Sequence, residues 1–387
     1  MIRKIANTAR DYAWGSTSLI PDYFGIAETD KPMAEIWFGT HSGSPTMVVG
    51  EAKSLLDLRE GAQLPFLLKI LAAGQPLSIQ AHPNKEQAMA GFARESAAGI
   101  PIDAPNRDYK DDHHKPEMIV ALTPFTALVG FRERVDIVVS FQRLAMQAQQ
   151  LGLDALEEAL ASWIQLLRDG GTPALFQNLL EQRGALDEVC AQLSDLASSS
   201  RAIDNIESAN LALVPLLQEL HPGDPGVVIS QMLNLVELAP MQAAELLAGN
   251  VHAYVSGLGV EIMANSDNVL RGGLTTKNIN TSELLKIVDF KGSSKLSFEA
   301  ERLLEGLWRY PTMAEDYILY RLEVSGSHLM ADLEIPNPAI VLCTSGEIAV
   351  GDSLEHREVL RKGEAAYLAD ARLYSFSGSG TAFLATS

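Results

Sequence analysis

At 387 residues the chain exceeds the roughly 250–300 at which one hydrophobic core stops growing, so more than one domain is expected. Its apolar content of 47% is ordinary for a globular protein, and its net charge of −19 argues against non-specific binding to nucleic acid or anionic membranes. An anionic ligand would need a local concentration of cations working against that field.

The two cysteines, Cys190 and Cys343, stand far apart and in no ligand-like spacing, which suits a reducing cytoplasm. The N-terminal stretch has no apolar core of signal-peptide length. No run approaches the ~20 apolar residues that span a bilayer, so a cytoplasmic protein is expected.

In chain order, residues 1–49 are turn-rich. They carry Asp11-Tyr12-Ala13-Trp14-Gly15 and a strand-like Ala34-Glu35-Ile36-Trp37-Phe38-Gly39-Thr40-His41. Leu55 to Glu60 reads as a short helix. Pro65 to Leu71 is a nearly all-apolar strand interrupted by Lys69, which either enters a polar cavity or snorkels outward. After the turn signals Gly74 and Pro76, strand periodicity sets Leu77, Ile79 and Ala81 on one face and Ser78, Gln80 and His82 on the other. Asn84 with Gln87 three residues on forms a capping box for a helix over Glu86 to Arg94. A polar loop over Ala97 to Asp112 has the composition of a rim over a site. The next strand, His114 to Leu122, puts Lys115 and Glu117 on one face, with Pro116 marking its start or a sheet edge.

From about Glu133 to Gln218 the period becomes helical, with Leu153, Leu156, Leu160, Ile164 and Leu167 in register; four to six helices are expected. Turn signals return at His221 to Gly226. Strands are then expected over Val227 to Leu238, Ala243 to Leu247, Gly249 to Val255 (His252 and Tyr254 sharing a face) and Gly259 to Ala264. The cluster Asn265-Ser266-Asp267-Asn268 leads into Val269-Leu270-Arg271-Gly272-Gly273-Leu274-Thr275 and Lys277. Beyond Leu303 the short alternating stretches Ile340–Cys343, Glu347–Val350, Ala365–Leu368 and Thr381–Ala385 read as a small β-sandwich or barrel.

The polar faces of these strands supply Gln80, His82, Glu117 and His252. Two imidazoles, a carboxylate and an amide suit an open Zn²⁺, Mn²⁺ or Fe²⁺ site better than a closed structural zinc, which prefers thiolates. The spacing alone is equally compatible with strands whose outward faces are simply polar.

Gln-Ala-His-Pro (80–83), His-Lys-Pro-Glu-Met (114–118), His-Ala-Tyr (252–254) and Met-Ala-Asn-Ser-Asp-Asn-Val-Leu-Arg-Gly-Gly-Leu-Thr (263–275) occur in that order. In this, the chain resembles the type I mannose-6-phosphate isomerases (phosphomannose isomerases) over most of its length. The resemblance implies a mainly β fold of cupin-type jelly-roll barrels with a helical insert. The implied domains are residues 1–132 and 223–302 as a catalytic cupin, 133–222 as the helical insert, and 303–387 as a C-terminal cupin-like domain. It implies one zinc held by Gln80, His82, Glu117 and His252, and interconversion of mannose 6-phosphate and fructose 6-phosphate on the route to GDP-mannose.

One departure is visible. Many family members have Pro-Gly-Glu-Ala where this chain has Pro240-Met241-Gln242-Ala243.

Aldose–ketose isomerisation moves a proton between C2 and C1 through an enediolate. It needs a base, an electrophile and a cationic grip on the phosphate. Arg271 is expected to face the enediolate or the phosphate, and Lys277 the phosphate itself. Lys115 donates to a sugar oxygen or shares in proton transfer, or else pairs with Asp111 or Asp112. Asp267 is the base, or else only a turn cap. Tyr254, Glu261 and Ser78 are expected around the substrate. A monomer acting on a small sugar phosphate, with no nucleic-acid or membrane partner, is expected. Two other classes share parts of this pattern: an Fe²⁺ cupin dioxygenase, and a sugar-phosphate binder without catalysis.

Overall fold

The computed structural model describes residues 1–27, 29–199, 210–291, 296–326, 330–371 and 373–387. Its architecture is mainly β, two antiparallel sheet systems with a helical body attached to one of them.

The first system is built on the long strand His252–Ala264. The sequence pattern suggests two strands here; they are one, bent at Gly257. The register slips between Tyr254 and Ser256, and Gly257 has φ 122°. A Cβ at Gly257 would lie 2.7 Å from the Pro124 carbonyl oxygen, so only glycine fits the crossing. Before the bend the strand pairs with Ile79–Ala81 and Phe125–Phe131; after it, with Phe66–Ala73 and Glu117–Ala121. One strand therefore ties together every segment that the motifs singled out. Leu270–Gly273 closes one edge against Ile79–Ala81, and Glu35–Phe38 the other against Phe66–Ala73.

The helical body contains Arg134–Leu151, Asp154–Glu181, Asp187–Ser198 and Val214–Leu220. The second of these breaks at Gly171 (φ 73°), where Pro173 follows. Residues 200–209 of the expected insert lie outside the described residues. Leucines at helical spacing form the core expected of them: Leu156, Leu160, Leu167, Leu175 and Leu179 are all buried. That core continues into the barrel through Phe131, which packs against Phe176 (ring centroids 5.5 Å apart) and Phe290 (5.2 Å).

Three local expectations need correction. Val227 to Leu238 is not one strand: Asp224 caps a helical turn over Pro225–Ile229, and the strand begins only at Leu233. The side chain of Asp224 accepts from Gly226 N, and proline at the first helical position favours that start. Ile340–Cys343 and Glu347–Val350 are halves of one strand, Ala339–Asp352, with its register shift between Cys343 and Ser345. Finally, the first strand, Ile2–Ala6, pairs with Ala365–Leu368 in the second sheet system. The start of the chain thus lies in the C-terminal sheet rather than in the barrel that 1–132 was expected to build. A shared core of Phe66, Val260, Tyr310, Ile340 and Phe383 joins the two systems.

The Pro-Met-Gln-Ala departure falls on a turn with a left-handed residue: Met241 has φ 73°, a position where glycine carries no steric cost. The turn is held from several sides. Met241 N donates to Ala121 O, and Tyr310 OH donates to Met241 O. The Gln242 side chain accepts from Ala239 N at 2.9 Å.

Phe131 fills the joint between barrel and helices, so Phe131→Ala should lower the unfolding free energy by about 3–5 kcal/mol. Denaturant titration reads this directly; a loss under about 1 kcal/mol would show that the joint does not carry the packing assigned to it.

Candidate active site and metal centre

A cavity of about 600 Å³ opens over the first sheet system. Gln80, Glu117, Lys115, Asp267, Arg271, Lys277, Tyr254, Glu261 and Ser78 all line it. His82 and His252 lie just behind Glu117, fully buried.

Strand register explains the convergence. His252 stands opposite Gln80, which also faces Arg271 on its other side. Glu117 stands opposite Met263, and Glu261 opposite Lys69.

The imidazoles are held in one tautomer each. His82 Nδ1 donates to the Asn268 carbonyl at 2.7 Å, and His252 Nδ1 donates to the Asn250 carbonyl at 3.0 Å. With the proton on Nδ1, each Nε2 carries a lone pair. Both lone pairs point at Glu117 Oε2, each 3.3 Å away. His82 Nε2 and Glu117 Oε2 have no hydrogen-bond partner although both are buried. Burial, opposed chiefly by Glu117, pushes the His82 imidazolium down to about 4, so the ring is neutral at pH 7. Burial alone would raise the Glu117 carboxyl. The Lys115 ammonium beside it overcomes this and holds Glu117 well below the usual range.

An ionised oxygen facing two imidazole lone pairs in a dry site is repulsive unless a cation lies among them. The ligand atoms of His82, Glu117 and His252 all fall within 4.8 Å of one another. This donor set fits a divalent ion. The amide nitrogen of Gln80 lies 3.3 Å from His252 Nε2, so its carbonyl oxygen becomes a ligand only if the amide turns over.

Lys115 does not pair with Asp111 or Asp112. Its Nζ lies 2.9 Å from Glu117 Oε1, the oxygen that does not face the histidines. Asp111 instead accepts from Ser266 Oγ and Asp267 N and buttresses the Asn265–Asn268 turn. Asp267 is half-exposed and pairs with His41 Nε2 at 3.3 Å. Burial would raise its carboxyl, but His41, Lys115 and Lys110 bring it below the ordinary value. His41 Nδ1 accepts from Gly43 N, leaving the Nε2 proton for Asp267.

Lys69 resolves inward. Its ammonium is buried between Glu261 Oε2 (3.0 Å) and Glu35 Oε1 (3.4 Å). Burial opposes its charge, but these two carboxylates raise it overall. Tyr254 OH donates to Glu261 Oε1 and Trp37 Nε1 to Glu35 Oε2, both at 2.8 Å. Glu35, His41 and Asn268 are site residues that sequence reasoning missed. Glu35 and His41 lie in the strand-like Ala34–His41 stretch, whose alternation marks a strand and no chemistry; Asn268 acts partly through a backbone carbonyl, which no side-chain pattern reveals.

Arg271 and Lys277 line the same cavity, Arg271 from the strand paired with Gln80. No carboxylate or carbonyl partners either side chain among the described residues. Arg271 is lowered by burial, and Lys277 is lowered first by Arg271, then by burial and Lys110. Unpaired cations held close enough to repel one another mark a place for an anion.

The comparisons with known proteins agree in direction. Residues 2–134 match the family model for the catalytic domain of type I phosphomannose isomerase. The chain is 36% identical to the mannose-6-phosphate isomerase of Salmonella typhimurium, covering 98% of each chain. It is 34% identical to that of Shigella flexneri, covering 95% of each. A crystal structure of mannose 6-phosphate isomerase bound with zinc and yttrium is 35% identical and superposes with a TM-score of 0.87, over 99% of this chain and 98% of that one.

Lys69→Met would leave two buried carboxylates without their shared cation. It should cost about 3–5 kcal/mol of stability at neutral pH, measured by denaturant unfolding. A change of less than about 1 kcal/mol would mean that the pair contributes little to holding this wall.

Proposed function

The chain belongs to the type I mannose-6-phosphate isomerase family, and from that premise we propose that it is a zinc-dependent aldose–ketose isomerase. It interconverts mannose 6-phosphate and fructose 6-phosphate by moving a proton between C1 and C2 through an enediolate. The observation that carries this reading is a buried, unsatisfied histidine–carboxylate cluster beside a cavity that also holds unpaired cations.

His82, Glu117 and His252 hold the zinc, with the Gln80 carbonyl oxygen as fourth ligand. When bound, zinc supplies electrostatic stabilisation of negative charge developing on the sugar oxygens, worth several kcal/mol. The histidines keep their lone pairs aimed inward because the Asn268 and Asn250 carbonyls fix the other ring nitrogen.

Lys115, held by Glu117 Oε1, keeps its remaining protons for a sugar oxygen. Asp267 is ionised at neutral pH and can take the C–H proton, with His41 Nε2–H steadying the carboxylate. Arg271 stabilises charge on the enediolate side, and Lys277 receives the phosphate. Gripping the phosphate away from C1 and C2 supplies remote binding energy that positions the reacting carbons. Tyr254 and Glu261, tied to each other and to Lys69, form a stiff wall beside the sugar, and Ser78 lies at the mouth.

The catalytic unit comprises 1–132 and 223–302 with its first strand lent to the C-terminal sheet, flanked by the helical insert 133–222 and the C-terminal β domain 303–387. The protein works as a cytoplasmic monomer, without nucleic-acid or membrane partners. Its free buried thiols, Cys190 and Cys343, support the reducing compartment. No helix of the described residues is long and apolar enough to cross a membrane.

In a coupled assay of fructose 6-phosphate formation, a chelator should abolish activity and added zinc restore it; full activity after metal removal would sink the reading. Arg271→Ala should retain zinc and lose at least about 100-fold in kcat, as expected for a removed transition-state contact. Asp267→Asn should lose a comparable factor, about 10²–10⁴, if the carboxylate takes the proton. Near-normal turnover of Asp267→Asn would reduce Asp267 to a partner of His41.

A further inference from the structure

The segment that follows Gly273 carries Lys277 into the cavity, and beyond one internal hydrogen bond, Lys277 N to Thr275 Oγ1, it is held from outside. Leu274 lies in the left-handed region at φ 50°, which a leucine adopts only under constraint. Gly273, at φ 141°, packs so closely on Gly226 that a Cβ would come within 2.7 Å of the Gly226 Cα. The constraint comes from outside the segment, on two sides. On one, the carboxylate of Asp224 accepts from Leu274 N at 2.7 Å and from Thr275 N at 3.4 Å. On the other, the guanidinium of Arg183 donates Nη1 to the Lys277 carbonyl at 3.0 Å and Nη2 to the Thr275 carbonyl. Asp224 takes the N–H groups and Arg183 the C=O groups, so the strained turn is clamped between opposite charges.

Arg183 follows the helix Asp154–Glu181 in the helical body, about ninety residues before the loop it holds. No carboxylate pairs with it among the described residues. Its fork is committed to two backbone carbonyls two residues apart, a geometry that lysine cannot reproduce. What the clamp works against is also visible: Lys277 is held where Arg271 and Lys110 repel its charge. A loop free to move would swing that ammonium away from Arg271 and out to solvent.

We propose that Arg183 is a positioning residue for substrate: by clamping the Thr275 and Lys277 carbonyls, it holds the Lys277 ammonium beside Arg271, where it receives the phosphate. The helical insert thereby acquires a task in substrate selection, discriminating phosphorylated sugar from free sugar through a residue that never touches either. This rests on the reading of Lys277 as the phosphate contact, and the test separates the two.

Kinetics are measured on zinc-loaded Arg183→Ala, Arg183→Lys, Lys277→Ala and the Arg183→Ala/Lys277→Ala double variant, with inorganic phosphate as a competitive inhibitor. Arg183→Ala should raise KM for mannose 6-phosphate roughly tenfold, with kcat changed less than about threefold. It should weaken inhibition by phosphate by the same factor, the signature of lost ground-state binding. Arg183→Lys, keeping one donor, should recover part of KM. The double variant should be no worse than Lys277→Ala alone, because Arg183 acts only through that side chain.

Two results overturn the inference while leaving the phosphate reading intact: Lys277→Ala raises KM and Arg183→Ala does not, or the two effects multiply in the double variant. If Lys277→Ala changes neither KM nor phosphate inhibition, the phosphate reading falls and the clamp's purpose with it.

Discussion

The structure turns on three lone pairs that face one another without a proton among them. His82 and His252 each donate Nδ1–H to a backbone carbonyl, so their Nε2 atoms can only accept. Glu117 Oε2 can only accept as well, and it lies 3.3 Å from both. In a buried cluster this arrangement is costly, and no hydrogen bond among the described residues relieves His82 Nε2 or Glu117 Oε2. It persists because the strands that deliver these residues are locked in register by hydrophobic packing elsewhere. The unfavourable electrostatics is a binding site for a cation, built in advance of the cation. Fixing the ligands beforehand also spares the ion the entropy of ordering them.

Around that cluster some charges in the cavity are paired and others are not. Glu117 and Glu261 are each matched by a buried lysine. Arg271 and Lys277 have no carboxylate partners among the described residues. A chain with net charge −19 repels anions at long range, so the grip on a phosphate has to come from close contact, the role proposed for Lys277. The proposed division of labour follows: the metal cluster and Arg271 stabilise charge that appears during reaction, and Lys277 binds charge that is always there. Burial and like-charge repulsion both work against placing two cations together, and the fold answers with a clamped loop rather than with counter-ions.

Much of this was legible in the sequence because β-structure has a period of two. Read as strands, Ser78, Gln80 and His82 share a face, as do Lys115 with Glu117 and His252 with Tyr254, although the strands formed are the shorter Ile79–Ala81 and Glu117–Ala121 and the longer His252–Ala264. The family's motifs then told which faces converge. Periodicity could not show that the two strands on either side of Gly257 are one, because a bulged crossing reads as a break. Nor could it place Ile2–Ala6, whose partner lies more than 350 residues away. Lys69 was ambiguous for a physical reason: an ammonium in an apolar strand is stable only if carboxylates meet it, and Glu35 and Glu261 come from two other strands. Arg183 carried no signal at all. Its ligands are backbone carbonyls, which every residue possesses.

The most direct test of the central claim is the zinc content of the purified protein against a His82→Ala/His252→Ala variant, with folding of both checked by circular dichroism. The account predicts one zinc per chain in the parent protein, and a folded variant with essentially none, since each substitution removes an inward-facing lone pair. A folded variant that still held stoichiometric zinc would contradict it, because the metal would then be bound somewhere other than the cluster on which the rest of the site depends.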